Sequence, residues 1–481
     1  MNFLRLKQQD WLLTATICVL LFLGIAVIYS ATLGAESELE GAGTVNRQLV
    51  FTILGFFIYF IVSNIDPALY KFTLVKIVLL FIITALLVYV LVFGDPVRNT
   101  DRWIEWGFIR IQPSEYTKVV LILLNSSILA SLLKRREKGD VAWAQLSQKK
   151  GIKDILTNQF ANIRSLYPAL SGYFLAIAIS ALCIGLILIE PSLGNATITT
   201  LLCLSLFLVA FPDQLTLWGG IIIVLISVNM IAGFFDFTSL YNQIGFSFVF
   251  NDIDALLVLI SIIIIVLIVV KFRLPILFVL VSMIIGILSV FSISYIWENV
   301  LEDYQKGRIE IFFNPEEDPQ GAGWQLRQSK IAIGSGRLLG KGFLEGSQSK
   351  LRYLPESYSD FAFASFSEEF GLVGASFLYA LYIFLILRIV RIARRATTTY
   401  EGLICFGVAV MILIHVFVNI GMNMGLLPIT GIPLPLISYG GSSVMVTMIA
   451  LGLVQAVKIH RDNIDTQESL VITSKSPWRI D

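Results

Sequence analysis

The chain has 481 residues, of which 56% are hydrophobic and 14% charged, with a mean hydropathy of +0.81. That composition excludes a soluble domain and reads as an all-α polytopic membrane protein. Thirty-five basic residues against 34 acidic ones leave a net charge of only +1, which argues against nucleic acid as a partner.

Apolar runs long enough to span a bilayer, about twenty residues each, fall near 11–30, 48–64, 73–93, 113–133, 168–189, 195–211, 217–235, 253–271, 275–297, 361–388, 402–422 and 441–457, about twelve in all. The first is too long for a signal-peptide core and lacks a small-residue cleavage site, so it is expected to stay as a helix. Basic residues gather in alternate connections: Arg5 and Lys7, Lys71, the run from Lys134 to Lys153, Lys271 and Arg273, Arg388 to Arg395, and Lys458 with Arg461. This puts both termini in the cytoplasm. Within the cytoplasmic loop 134–165, Ile152, Ile155, Leu156, Phe160 and Ile163 recur at helical spacing beside Lys153 and Arg164. They predict an interfacial amphipathic helix, which can be a plain surface anchor. The tail 462–481 is polar and expected to be disordered.

Two connections break the charge rule: 94–112, with Arg98, Arg102 and Arg110, and the long outer stretch 302–360. The second carries Lys306, Arg308, Arg327, Lys330, Arg337, Lys341, Lys350 and Arg352. Exported positive charge on that scale fits an anionic ligand at the outer face. The same stretch holds Asp318, before Pro319 and a Gly-Ala-Gly turn that restrict its backbone. An Asp before Pro is ordinarily a turn residue; at a lipid–water boundary among cations it can also accept a proton from an attacking hydroxyl. The glycines from Gly334 to Gly346 are no P-loop, because Gly340-Lys341 is followed by Gly342 rather than Ser or Thr.

Inside the membrane, Glu115 and Lys118 stand three residues apart, a natural ion pair on a helix. Such a pair either neutralises itself between helices or lines a cavity. Glu190, Asp360, Glu368 and Glu369 are further costly acids near helix ends. The segment 425–443, GLLPITGIPLPLISYGGSS, has irregular backbone that survives at membrane depth only when protein or a wet cavity covers it. Cys18, Cys183, Cys203 and Cys405 lie in apolar runs and form no disulfide framework. His415 and His460, the two histidines, can build neither a His-based metal site nor a Ser-His-Asp triad.

The blocks DRWIEWGFIRIQPSEYTK, DPQGAGWQLRQSKIAIGSG, LPESYSDFAFASFSEEFGLVG and GMNMGLLPITGIPLPLISYGGSS resemble, in order and over most of the chain, the signature blocks of the SEDS family (RodA/FtsW/SpoVE). GSQSKLRYLPE and IAIGSG look closer to RodA. The resemblance implies a single membrane domain over 1–481. It also implies a peptidoglycan glycosyltransferase for cell elongation and shape, polymerising lipid II at the outer face of the bacterial inner membrane. A class B penicillin-binding protein and other elongation-complex membrane proteins would be its partners. The family's essential acid maps onto Asp318, within a catalytic loop 298–360. Substrate contacts are then expected from Arg102, Glu115, Lys118, Gln328, Ser329, Lys330, Glu368, Ser438 and Ser442 of the matched blocks, and from Lys341 between them. No cofactor is named by these residues; a divalent cation is left open.

Two departures stand out against the family pattern. Its Pro-Asp-Leu-Gly becomes Pro191-Ser192-Leu193-Gly194 here, and its ten helices gain an inserted hairpin at 217–271. A lipid II transporter is the competing reading, since buried charges and proline-broken helices also suit translocation; a non-catalytic scaffold is a third. A transporter wants its charged site near the midplane, whereas the richest site lies in an outer loop.

Overall fold

The computed structural model describes residues 8–32, 38–93, 95–97, 100–106, 109–146, 172–190, 192–210, 303–316, 318, 321–351 and 353–474. In chain order these form α1 (Trp11–Thr32), α2 (Glu38–Asn64), α3 (Thr73–Phe93), strands β1 (Asp95–Val97), β2 (Thr100–Trp106) and β3 (Ile109–Ile111), and α4 (Pro113–Leu146). Then follow α5 (Gly172–Ile189), α6 (Leu193–Ala210), α7 (Asp303–Phe313), α8 (Ala322–Ser335), α9 (Ala362–Arg394), α10 (Thr399–Met424) and α11 (Gly441–Ser474). Residues 1–206 with 308–481 make one compact unit and 207–307 another; of the second, only 207–210 and 303–307 are described.

Nine helices among the described residues are long and apolar enough to cross a membrane: α1 to α6, α9, α10 and the first 22 residues of α11. They coincide with nine of the twelve expected runs. The other three, 217–235, 253–271 and 275–297, lie outside the described residues. So do the hairpin 217–271 and the amphipathic stretch from Ile152 to Arg164. The all-α expectation needs one amendment, because 95–111 folds into a small antiparallel sheet ordered β1-β2-β3. Ile104 pairs with Ile111, and Trp106 with Ile109.

Helix boundaries also move. α4 continues through the charged run to Leu146, because Lys, Arg, Glu, Ala and Leu are good helix formers even where they are polar. α11 continues through the expected disordered tail to Ser474, with Lys458 and Asp462 paired one turn apart. At the predicted cytoplasmic end, Arg388 reaches Asp10 at 2.8 Å, and Asp10 also caps α1 through Leu13 N–H at 3.1 Å. Thr398 and Glu401 form a capping box on α10.

The segment 425–440 is irregular yet covered. Leu434, Leu436, Ile437 and Ser438 are buried. A Cβ on Gly24 of α1 would sit 2.5 Å from the Leu436 carbonyl oxygen, so α1 can pass this backbone only as glycine. Asn419 donates to Ile432 O at 2.7 Å, Tyr382 donates to Pro435 O, and Ser438 Oγ accepts Leu434 N–H at 2.8 Å. Protein groups therefore replace the hydrogen bonds that the bilayer cannot supply.

Candidate functional site

Asp318 is seated at the start of α8. Its Oδ1 accepts Gly321 N–H and its Oδ2 accepts Ala322 N–H, both at 2.8 Å, so the carboxylate closes the first turn of a helix whose N–H groups would otherwise lack partners. Each oxygen keeps a lone pair for another donor, and the residue is only half-buried. The glycines follow from this seat. A Cβ on Gly321 would lie 2.3 Å from Asp318 Oδ2, and one on Gly323 would lie 2.3 Å from Pro315 O and 2.6 Å from Asp318 O.

From there α8 turns one face to the bundle and one outward. Leu326 and Ala332 pack with Leu354, Phe361, Ala364 and Ile429, and buried Ser329 donates to Asn423 O at 2.8 Å. Gln328 is buried as well. Arg327, Lys330 and Ile331 are exposed. The Lys330 stem lies over the end of α10, where a Cβ on Gly425 would be 2.1 Å from Cε. Close by, Arg308 Nη1 approaches Ile429 O at 3.4 Å. Asp360 Oδ2 and Arg308 Nη1 both converge on Gly431, 3.4 and 3.5 Å from where its Cβ would be.

α9 is broken at Gly371, where φ is 62°. The loop after α8 repairs the break: Lys341 N–H and Gly342 N–H donate to Glu368 O and Glu369 O at 3.0 Å, while Leu372 N–H and Val373 N–H donate to Arg337 O and Leu338 O at 2.9 and 3.1 Å. The Glu368 side chain, fully buried, pairs with Lys341 and accepts Ser347 N–H and Oγ at 3.0 Å and Gln348 N–H at 3.1 Å. The carboxylate is thus occupied in pinning the loop to α9. Glu369 takes a hydrogen bond from Ser30 of α1.

A second polar cluster lies inside the bundle. Lys118, wholly buried, contacts Glu115 at 2.8 Å, Asn195 Oδ1 at 3.1 Å and His415 Nε2 at 2.9 Å. His415 Nδ1 is 2.7 Å from Met411 O, a contact an Nδ1–H makes, which leaves Nε2 to accept from the Lys118 ammonium. Three ammonium protons meet three acceptors. Asn195 also donates to Ser114 and Ser192 at 3.2 and 3.3 Å.

The structure places Gln328, Ser329 and Lys330 on the loop helix that starts beside Asp318, Glu115 with Lys118 in the bundle, and Lys341 with Glu368 at the break. Ser438 and Ser442 serve the backbone: Ser442 accepts Gln112 N–H at 3.1 Å and donates to Arg110 O at 2.8 Å. Arg102, on β2, faces Glu190 electrostatically. Asn195, His415 and Asn423 were not foreseen; a polar residue in an otherwise apolar span was the available signal. Among the described residues, no group of three or more His, Cys, Asp or Glu could hold a metal ion.

The family described as cell cycle protein (FtsW/RodA/SpoVE) matches residues 10–244 and 239–463. The chain belongs to this family, the SEDS proteins. It is 32% identical to the peptidoglycan glycosyltransferase RodA of Treponema pallidum, covering 96% of this chain and 100% of that one. It is 30% identical to the peptidoglycan glycosyltransferase MrdB of Escherichia coli K12, over 92% and 93%. Its fold is similar to a chain in a solved structure described as structural coordination of polymerization and crosslinking by a peptidoglycan synthase complex (TM-score 0.60, 22% identity, 94% and 98% covered). The crystal structure of Thermus thermophilus rod shape determining protein RodA gives a TM-score of 0.52 at 20% identity, over 94% and 97%. Where the family pattern expects an acid, Ser192 stands, and its Oγ accepts from Asn195 Nδ2 at 3.3 Å. Glu190, two residues earlier and just past α5, is completely buried, with neither oxygen hydrogen-bonded among the described residues. Burial pushes its carboxyl up to about 8, against a smaller opposing pull from Arg102.

Proposed function

We propose that this SEDS protein, a peptidoglycan glycosyltransferase like its curated relatives, polymerises lipid II at the outer face of the bacterial inner membrane during cell elongation, with Asp318 as the base. The observation that carries the reading is the seat of Asp318. Its carboxylate is held by two backbone N–H groups at the head of a loop helix whose outward face bears Arg327 and Lys330.

An acceptor sugar hydroxyl would give its proton to Asp318 while its oxygen attacks the donor's anomeric carbon. The bond from that carbon to the pyrophosphate breaks, and the departing group carries away negative charge. Lys330 and Arg327, on the helix that starts beside the base, are suited to stabilise that charge as it develops. A polyprenyl tail fits the apolar flanks of the membrane helices. Both termini then lie in the cytoplasm, with Arg388, Arg391 and Arg394 marking the inner boundary. A class B penicillin-binding protein, with other elongation-complex membrane proteins, is the proposed partner, and the likeness to a chain of a peptidoglycan synthase complex supports it.

The test is glycan-chain formation from lipid II by the purified protein, with and without a class B penicillin-binding protein. Glycan strands are expected in at least the paired reaction. Movement of lipid II across vesicles with no polymer in either arm would favour a transporter instead.

A further inference from the structure

The loop that repairs α9 also carries an exposed apolar edge. From Gly336 to Leu344 the backbone coils tightly, with left-handed φ at Arg337 (47°), Gly340 (81°), Gly342 (108°) and Leu344 (67°). Its bonds to Leu372 and Val373 place Leu338 and Leu339 beside the outward side of α9. Leu338 is 60% and Leu339 76% exposed, next to Leu372 at 61% and Val373 at 54%. Phe343, also exposed, has its ring 6.2 Å from that of Phe370.

The height of this edge can be measured along α9. Twenty residues separate Gly371 from Arg391, about 30 Å at about 1.5 Å per residue, which is the thickness of the hydrocarbon core. With Arg388, Arg391 and Arg394 at one boundary, Gly371 and the loop zipped to it fall at the other. The apolar edge is therefore continuous with the exposed apolar face of α9 formed by Phe377, Ile383 and Leu387. Arg337, exposed at its rim, makes no ion pair among the described residues; a guanidinium there suits a lipid phosphate.

We propose that residues 336–343 form an anchor dipping into the leaflet on the loop side, the outer leaflet in the topology above. Leu338, Leu339 and Phe343 enter the acyl region, and Arg337 stays with the phospholipid headgroups. α8 runs from the seat of Asp318 directly into this anchor. Its 14 residues span about 21 Å, so lipid contact at one end fixes where the carboxylate at the other end sits relative to the headgroups.

Nitroxide labelling tests this on the full-length protein in lipid nanodiscs of phosphatidylethanolamine and phosphatidylglycerol, after alanine replaces the four cysteines. Labels go at Leu339→Cys, at Phe377→Cys on the exposed side of α9, and at Lys350→Cys. The Leu339 label should collide readily with oxygen and several-fold less with a water-soluble nickel chelate than the Lys350 label does, as the Phe377 label should. Nickel access equal to that at Lys350 would overturn the anchor, and so would protection from both reagents, which would mean that protein covers the edge. If the cysteine-free protein does not fold, Leu339→Trp in the native background gives the same decision. Added fluorescence quenched by lipids brominated near the headgroup supports the anchor; unquenched emission at the wavelength of water-exposed tryptophan rejects it.

Discussion

Lys118 Nζ lies 2.9 Å from Nε2 of His415, 297 positions away in the chain, and this contact completes the ammonium's three hydrogen bonds. Removing Lys118 alone strands the Glu115 carboxylate in the bundle. Lys118→Ala is expected to cost about 3–5 kcal/mol, more than Glu115→Gln with Lys118→Met together. Thermal unfolding of the single and double variants in detergent measures this, and strictly additive effects would count against direct pairing.

Asp318 both caps α8 and is the proposed base, and the two roles separate on substitution. Asn keeps one acceptor oxygen for the helix start but turns its Nδ2 toward the second N–H, so Asp318→Asn should lose about 1–2 kcal/mol of stability. Its polymerisation rate should fall by about 10²–10⁴-fold, the ordinary yield of general-base catalysis. Near-normal glycan synthesis by the Asn or the Ala variant would end the mechanism.

Gly371→Ala should destabilise the protein by more than about 2 kcal/mol. Alanine at φ 62° is strained, and its Cβ would lie 2.3 Å from Gly340 N and 2.7 Å from Leu338 O. Lowered melting temperature together with faster proteolysis within 336–348 is the expected pattern. An unchanged melting temperature would show that the break and the loop are not coupled.

Glu190 gives a pH prediction. Its folded carboxyl titrates at about 8 against an ordinary value of 4.5, so between those values the fold holds a proton that the unfolded chain has released. Stability from this group is greatest below about pH 4.5 and declines as pH rises toward 8. Glu190→Gln should therefore stabilise the protein by an amount that grows from pH 5 to pH 8, reaching a few kcal/mol. Melting curves of the two proteins across that range decide it; a gain that does not change with pH would refute it.

What could be read in the sequence was mainly local. Glu115 and Lys118 announce their pairing by spacing, and DPQGAG announces a tight seat for Asp318, although not that the seat caps a helix. Partners distant in the chain left no such mark: His415 looked like one more residue of an apolar span, and nothing near Glu368 indicated that Lys341, Ser347 and Gln348 would enclose it. Gly371 was visible as a glycine but not as a break, because the pattern on either side of it stays helical. The strands at 95–111 are short and paired only with one another, too little periodicity to outweigh their look of a polar loop. Charge misled at Lys134–Leu146, where residues that avoid lipid still favour a helix in water.

Asn423 has a further consequence. It receives Ser329 of α8 on its carbonyl at 2.8 Å, takes Ala364 N–H of α9 on its side-chain oxygen at 3.2 Å and donates to Asp360 O at 3.1 Å. Through its main chain and its side chain, one residue of α10 thus ties α8, which starts beside Asp318, to α9 and α10. With Asp318 as the proposed base, the carboxylate is part of the chassis, and a lengthening strand would travel past it rather than have the base move to meet the strand.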